Sequence, residues 1–219
     1  FLPVIFLVLF EAIFGGQLVP SAGGGQVAQS QLQVPAFMTM GVISASFVAL
    51  AITVVNRRES GIYKRVRGTP APAWVTTVMA SAMVVVMLAL GRLAYGVAVD
   101  AGRLPWLVLA VLGGAAAFSC LGMMLAALTP SSEAAPPLAN VVVLPLYFVS
   151  GVFVPISSLP DWLGSIASWL PVAPMVKAVT WPYVPAESAP WGALALLAGW
   201  GVVGLVIAAW RFRWTPRRG

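Results

Sequence analysis

"PWLVLAVLGGAAAFSCLGMMLAAL", residues 105–128, carries no charged side chain over its 24 residues. A helix needs about 20 apolar residues to cross roughly 30 Å of bilayer hydrocarbon, so this stretch is predicted to span a membrane. The whole chain agrees: 60% of its 219 residues are hydrophobic and only 8% are charged. A soluble domain has about 25% charged residues. We therefore predict an integral membrane protein.

Further apolar stretches on both sides of residues 105–128 predict a single transmembrane domain over residues 1–219. The fold class expected is all-α, with six transmembrane helices over about 1–14, 35–55, 74–97, 105–128, 138–155 and 191–210. The first is expected to be the end of a span that begins before this sequence. Residues 17–33 are polar and predict an external loop. Residues 156–190 contain too many prolines and polar residues to cross, and predict short external re-entrant helices packed against protein.

Basic residues are concentrated in two segments beside apolar spans. Nine of the twelve are Arg57, Arg58, Lys64, Arg65, Arg67, Arg211, Arg213, Arg217 and Arg218. The positive-inside bias places such segments in the cytoplasm. Both termini and the loop 56–73 are thus predicted to be cytoplasmic. This clustering favours a topological role for the net charge of +6 over nucleic-acid binding.

The sequence lacks the groups that most enzymes need. A phosphate-binding P-loop ends in Gly-Lys-Ser/Thr, whereas Lys64 follows Tyr63 and Lys177 follows Val176. The chain contains no histidine and a single cysteine, Cys120. We expect neither a metal site nor ATP hydrolysis by this chain alone.

Two charged residues, Glu11 and Arg92, fall within predicted spans. A charge at the centre of a span costs about 2.5–3.5 kcal/mol on insertion scales, and less near an interface. Two interpretations stay open for Glu11: structural pairing with Arg92 or Lys177, or a role in handling a cationic substrate.

Small residues recur at helical spacing on the fourth span, at Ala115, Ser119, Gly122 and Ala126. Such a stripe lets helices approach closely. The stripe favours packing within the subunit over a dedicated dimer contact.

Two motifs resemble the membrane-spanning subunits of type-2 ABC exporters. "NRRESGIYKRVRGTPAP", residues 56–72, is similar to the family's loop between the second and third spans. "LANVVVLPLYFVSGVFVPISSLPDWLGSIASWLPVAPMVKAV", residues 138–179, is similar to its C-terminal signature. The long first external loop most resembles the drug-exporter branch, that of the daunorubicin/doxorubicin permeases. Glu11 departs from the small or apolar residue expected there.

The resemblance implies that the loop forms a coupling helix that docks on a separate ATPase subunit. Apolar side chains would fill a groove and basic ones would pair at its rim. The residues expected to couple are Arg57, Arg58, Glu59, Gly61, Ile62, Tyr63, Lys64, Arg65, Arg67, Thr69 and Pro70. Implied partners are an ATP-binding cassette ATPase subunit, a second permease subunit in a homo- or heterodimer, and membrane lipid. ATP and Mg would bind the ATPase subunit, with no cofactor on this chain.

The resemblance also implies outward transport of amphipathic drug-like or lipid-like compounds across a bacterial inner membrane, as in multidrug efflux and antibiotic resistance. The candidate substrate pathway comprises Glu11, Arg92, Pro145, Tyr147, Phe148 and Phe153. The candidate external gate comprises Pro155, Pro160, Trp162, Trp169 and Pro171. Two alternatives stay open: a permease for a polysaccharide or lipid-linked glycan, and a membrane scaffold or sensor without transport.

Overall fold

The structure is a computed structural model that describes residues 2–14, 17–20, 26–59, 85–86, 88–89, 91–93, 95–97, 99–153, 159–184 and 188–211. Its helices are α1 (Leu2–Phe14), α2 (Gln29–Ile43), α3 (Ala49–Glu59), α4 (Leu104–Leu128), α5 (Ala135–Val149), α6 (Asp161–Trp169), α7 (Val172–Thr180) and α8 (Trp191–Arg211). A π-helical turn, Ser44–Val48, joins α2 to α3, and 3₁₀ turns occupy Ala101–Arg103 and Trp181–Tyr183. A short hairpin pairs β1 (Leu18–Pro20) with β2 (Gln26–Ala28).

Three helical stretches are long and apolar enough to cross a membrane. They are Gln29–Glu59, Ala101–Leu128 and Trp191–Arg211. Among the described residues, α1 and α5 are apolar but shorter. The predicted third span is described only in part, with helical residues between 85 and 95, and residues 74–84 lie outside the described ranges. The chain is therefore a mostly helical membrane protein, and the number of six spans stays a prediction.

The segment between α1 and α2 contains regular structure. Residues 17–33 are predicted to form an external loop, and in the structure Leu18 pairs with Ala28 across a hairpin and α2 begins at Gln29. Glutamine is a good helix former, so a polar sequence at this position does not stop the helix. The hydropathy of the sequence predicts where the chain leaves the hydrocarbon of the bilayer, whereas the helix itself continues beyond that point. The two three-residue strands are a local feature of this connection, and the mostly helical structure agrees with the predicted all-α membrane fold.

Tyr147 joins α5 to the middle of α2. Its side chain is 1% exposed, and its hydroxyl donates to the carbonyl of Met40 at 3.2 Å. The same oxygen lies 3.3 Å from the hydroxyl of Ser44, the first residue of the π-helical turn. A buried phenol without a partner would be costly, so these contacts fix where α5 crosses α2.

The α5 helix ends earlier than the predicted span. The span was expected to continue to Pro155, but α5 ends at Val149. Gly151 follows with φ of +88°, a left-handed conformation that glycine adopts without steric cost and that commonly ends helices. The chain therefore turns after α5 before it reaches Phe153.

Glycines bring α4, α8 and the π-helical turn into backbone contact. A Cβ on Gly204 of α8 would lie 2.9 Å from the backbone of Leu121, and one on Gly122 of α4 would lie 2.9 Å from the carbonyl oxygen of Phe47. Gly122 thus packs within the subunit, as the small-residue stripe predicts. Ala126 is also buried, whereas Ala115 and Ser119 are only half-buried.

We predict that Gly204→Ala destabilises the α4–α8 contact by about 1–3 kcal/mol, because the new methyl group meets backbone that cannot move aside. Gly199→Ala is the matched control on the same helix, since a Cβ there meets nothing within 4 Å. We expect Gly199→Ala to change stability by about 0.5 kcal/mol or less. Thermal unfolding in detergent, followed by tryptophan fluorescence, makes the comparison. Equal midpoints for the two variants would contradict this packing.

Candidate functional site at the junction of α3, α4 and α5

The last turn of α3 begins the basic loop. The continuous helix Gln29–Glu59 has 31 residues, about 46 Å at 1.5 Å per residue. This exceeds the roughly 30 Å of hydrocarbon, so Arg57, Arg58 and Glu59 lie beyond the apolar part. The other predicted coupling residues lie outside the described residues, namely Gly61, Ile62, Tyr63, Lys64, Arg65, Arg67, Thr69 and Pro70.

Arg58 points into the protein and binds the end of α4. Its side chain is 4% exposed, and its guanidinium donates to the carbonyls of Ala126, Thr129 and Pro130 at 3.2, 2.7 and 3.3 Å. The last carbonyls of a helix lack partners within it and carry its negative partial charge. A guanidinium meets both needs, because it offers several donors and a permanent positive charge. The sequence placed Arg58 on the docking surface, whereas the structure places it inside the junction.

The exposed side chain of Glu59 binds the turn that follows α4. Its carboxylate accepts a hydrogen bond from the backbone N–H of Ser132 at 2.8 Å and another from the Ser132 hydroxyl. These two bonds, the hydroxyl's first, lower the pKa of the Glu59 carboxyl from its ordinary value. Consecutive side chains of α3 therefore hold the turn between α4 and α5 at two points.

An apolar cluster beneath the polar contacts completes the junction. Leu50, Val54 and Val55 of α3 pack with Ala126 of α4 and Ala135 of α5, and all five are buried. A force applied to the end of α3 therefore reaches the end of α4 and the start of α5 through direct contacts.

A second group of functional candidates meets in a cluster of aromatic rings contributed by α1, α2, α5 and Phe153. Phe153 lies at its centre, with ring centroids of Phe148, Phe6, Phe10, Phe37 and Tyr147 at 5.0, 5.4, 6.0, 6.0 and 6.4 Å. Three predicted pathway residues, Tyr147, Phe148 and Phe153, thus come together. Sequence reasoning missed Phe6, Phe10 and Phe37. The four-residue spacing of Phe6 and Phe10 was visible, but nothing in the sequence showed that α2 supplies the facing ring.

The remaining pathway candidates do not join this group of contacts. Pro145 lies on the exposed side of α5. Glu11 is buried, with 7% exposed, whereas Arg92 and Lys177 are exposed. An ion pair joins Arg103 to Asp100 at 3.7 Å. The expected pairing of Glu11 with Arg92 or Lys177 is not found among the described residues.

The gate candidates within the described residues lie on or next to α6 and α7. Pro160 immediately precedes α6 and Pro171 immediately precedes α7, while Pro155 lies outside the described residues. Trp162 and Trp169 are 66% and 71% exposed. Exposed tryptophans of this kind are typical of the membrane–water interface.

Hydrogen bonds from three other side chains hold the segment that contains α6 and α7 in place. The indole N–H of Trp106 donates to the carbonyl of Ala178 at 2.9 Å, and that of Trp200 donates to Trp169 at 2.8 Å. Arg103 donates to the carbonyls of Trp181 and Val184 at 3.1 and 2.9 Å. None of these anchors was predicted, because a single tryptophan or arginine at a span end gives no sign of its distant carbonyl partner.

We predict that Arg58→Met destabilises the protein by about 2–4 kcal/mol, because it leaves buried carbonyls without donors. Faster hydrogen exchange in residues 129–132 should accompany the loss, and Arg58→Lys should restore it only in part. Arg211→Met is the control, since Arg211 is an exposed arginine in the last turn of α8. Similar unfolding midpoints for Arg58→Met and Arg211→Met would be inconsistent with the internal role of Arg58.

We predict that the Glu59 contact weakens in acid. A carboxyl whose pKa is lower in the folded state contributes its stability fully above the unfolded value, near 4.5 here, and loses it as pH falls through the folded value. Unfolding midpoints measured from pH 7 downward should fall less steeply below pH 4.5 in Ser132→Ala than in the wild type. Glu133→Gln, at an exposed carboxyl in the same turn, should keep the wild-type profile. Parallel wild-type and Ser132→Ala profiles would refute the assignment.

Comparison with known proteins identifies the family to which the chain belongs. The ABC-2 type transporter profile matches residues 1–183, which include α1 to α7, the junction and the ring cluster. No curated protein matches the chain. Among the described residues, no cluster of three or more metal-ligating side chains is present. The chain belongs to the ABC-2 type transporter family: it is the membrane-embedded transmembrane subunit of an ABC transporter, whose partner is an ATP-binding cassette subunit.

Proposed function

We propose that this subunit exports amphipathic drug-like or lipid-like compounds, driven by a separate ATPase subunit that docks on residues 57–70. The observation that carries the proposal is the junction at Arg58 and Glu59, which joins the root of the docking segment to α4 and α5. A docking segment can drive transport only if its movement reaches the spans. The buried guanidinium provides that connection.

Docking itself would use the part of the loop that follows Glu59. Ile62 and Tyr63 would enter a groove on the ATPase subunit, while Lys64, Arg65 and Arg67 would pair at its rim. Gly61, Thr69 and Pro70 would bound this element. Arg58 would hold the loop in position without contacting the partner. ATP and Mg would bind the partner, and this chain alone would not hydrolyse ATP.

The cluster of aromatic rings supports the proposed class of substrate, amphipathic drug-like or lipid-like compounds. Aromatic side chains offer large apolar faces, which suit compounds with an apolar body. The rings of Phe6, Phe10, Phe37 and Phe153 pack on one another at 5.4–6.5 Å. Phenylalanine carries no hydrogen-bonding group in its side chain, so this cluster offers sugar hydroxyls no polar partner. This favours drug-like or lipid-like compounds over the alternative, a polysaccharide or lipid-linked glycan.

The assembly proposed has two permease subunits, identical or related, above two ATPase subunits. Substrate would move along the contact between the permeases, past Pro145 and Phe148, both of which are exposed in this subunit. The helices α6 and α7 would form the external gate. Both termini would lie in the cytoplasm, with the subunit in a bacterial inner membrane.

We predict that Tyr63→Ala with Arg65→Ala reduces the co-purified ATPase subunit at least about tenfold, since a docking site of this kind loses 2 kcal/mol or more when its central residues are truncated. The tagged protein is purified in mild detergent, and accompanying proteins are identified by mass spectrometry. Arg211→Ala is the control, at an exposed arginine outside the loop.

The same preparations, reconstituted in inside-out vesicles, test export. ATP-dependent uptake of an amphipathic dye by the wild type, lost in the double variant, is the expected result. An ATPase subunit that co-purifies equally with both forms would refute docking on residues 57–70. Absence of ATP-dependent uptake with a bound ATPase would favour the scaffold or sensor alternative.

A further inference from the structure

An apolar groove of about 210 Å³ lies between α4 and α8. Its lining consists of aliphatic side chains and glycine, contributed by Leu109, Gly113, Leu194, Leu197 and Ala198. Leu197 is 1% exposed and forms the floor, whereas Leu109 is 47% exposed and forms part of the rim. The groove therefore opens at the surface and reaches into the core of the protein.

Two contacts between α4 and α8 bound the groove along the helix axes. At one end the backbones touch near Gly201, where a Cβ would lie 3.2 Å from Cα of Ala117. At the other end the rings of Trp106 and Trp191 meet, with centroids 4.8 Å apart. Residues 106 and 117 are separated by about 16 Å along α4 at 1.5 Å per residue. The groove is thus a slot with two closed ends and an open side.

The same arrangement of residues lines the groove from both helices. Each helix presents a tryptophan, a leucine three residues later and a small residue four residues after that, namely Trp106, Leu109 and Gly113 on α4, and Trp191, Leu194 and Ala198 on α8. Positions three and four apart lie on one face of a helix. The small residues create the space, since a Cβ on Gly113 would meet nothing within 4 Å.

Trp191 indicates the level of the groove in the bilayer. Both helices belong to stretches that are long and apolar enough to cross a membrane. Trp191, the first residue of α8, is 65% exposed, and exposed tryptophan is typical of the membrane–water interface. Leu194 and Ala198 follow about 4 and 10 Å further along the helix, and exposed Val202 and Leu205 continue the apolar surface on the same face. The groove therefore lies level with acyl chains, close to their headgroups.

The shape and chemistry of the groove determine which molecules fit it. A buried water needs roughly two to four polar partners, and these side chains provide none. A helix of a second copy is about 10 Å wide, too thick to enter between helices whose backbones touch at Gly201. An empty groove would leave its lining atoms without van der Waals contacts. Apolar cavities of about 150 Å³ take up benzene, so this larger volume has room for several methylene groups.

We propose that the groove binds one acyl chain of a bilayer phospholipid as a resident part of the subunit. The chain would lie along α4 and α8 against Leu109, Leu194 and Leu197, with its headgroup beside Trp191. Such binding depends on van der Waals packing, because lipid tails are as apolar as leucine side chains. Neither α4 nor α8 contributes a ring to the aromatic cluster. The site is therefore separate from the proposed substrate contacts and needs no ATPase subunit.

Retention of phospholipid by the full-length subunit tests the site. The protein is purified in mild detergent, and native mass spectrometry counts the phospholipids that stay bound, with palmitoyl-oleoyl phosphatidylethanolamine added as the probe. The wild type should keep a bound lipid. Gly113→Leu should lower the affinity for the probe at least about fivefold, because the leucine side chain fills the space in which the acyl chain makes its contacts.

Gly199→Leu is the matched control. Gly113 and Gly199 are both exposed helical glycines at which a Cβ would meet nothing within 4 Å, but Gly199 does not line the groove. Both substitutions introduce the same better helix former, so both variants should fold. Gly199→Leu should bind the probe as the wild type does. In thermal unfolding, the probe should raise the midpoints of the wild type and Gly199→Leu and leave that of Gly113→Leu unchanged.

Four results would overturn the site. Equal lipid retention by Gly113→Leu and Gly199→Leu would show that the lipid binds elsewhere. A wild type that retains no lipid, and whose unfolding the probe does not change, would show that acyl chains act there only as solvent. A dimer that Gly113→Leu dissociates without loss of lipid would assign the groove to a second copy. Loss of the bound lipid during ATP-driven turnover with the ATPase subunit would make it a transported compound.

Discussion

The capping of α4 by Arg58 is the contact on which the junction of α3, α4 and α5 depends. One guanidinium, 4% exposed, serves carbonyls of Ala126, Thr129 and Pro130. A buried charge is tolerable only where hydrogen bonds replace its lost hydration, and helix-end carbonyls provide them. The same contact fixes the position of α3 along the axis of α4. With α3 in this position, the next residue, Glu59, binds Ser132.

Close glycine contacts extend this fixed arrangement into the apolar part of the helices. Gly122 lies against the π-helical turn and Gly204 lies against the α4 backbone, so α3, α4 and α8 touch with little side-chain material between them. Such contacts have few alternative packings, because interiors at this density resist small displacements. The junction and the glycine contacts together therefore behave as one body when the loop after Glu59 is moved.

The sequence was sufficient for features set by local composition. Hydropathy placed α4 and α8 within one residue at each end, because an apolar run of helical length has few other structures available in a bilayer. Prediction from the sequence failed where the role of a side chain depends on a partner that is distant in the chain. The inward direction of Arg58 depends on carbonyls near residue 129, and the role of Phe37 depends on rings from α1 and α5. A basic residue beside a span has the same sequence signature whether it faces a partner or a helix end.

The two ends of the helix Gln29–Glu59 differ in their polar contacts. At the α3 end, the Arg58 guanidinium and the Glu59 carboxylate bind the turn that follows α4, although Nε of Arg58 has no partner among the described residues. Near the α2 end, Oε1 of Gln33 is buried without a partner in the described part of the chain. About 39 Å separate these residues at 1.5 Å per residue, so the polar contacts that fix this helix lie towards one of its ends.

The π-helical turn lies between those two ends and is held by Tyr147. Such turns are local departures from α-helical geometry that often occur at functional sites. If the end of α3 moves with the loop after Glu59, this turn moves with it, because it packs against Gly122 of α4. The Tyr147 contacts make α5 follow this movement, and α5 leads through Gly151 to Phe153 at the centre of the ring cluster. The connection from the junction to the rings is therefore continuous in covalent bonds and hydrogen bonds.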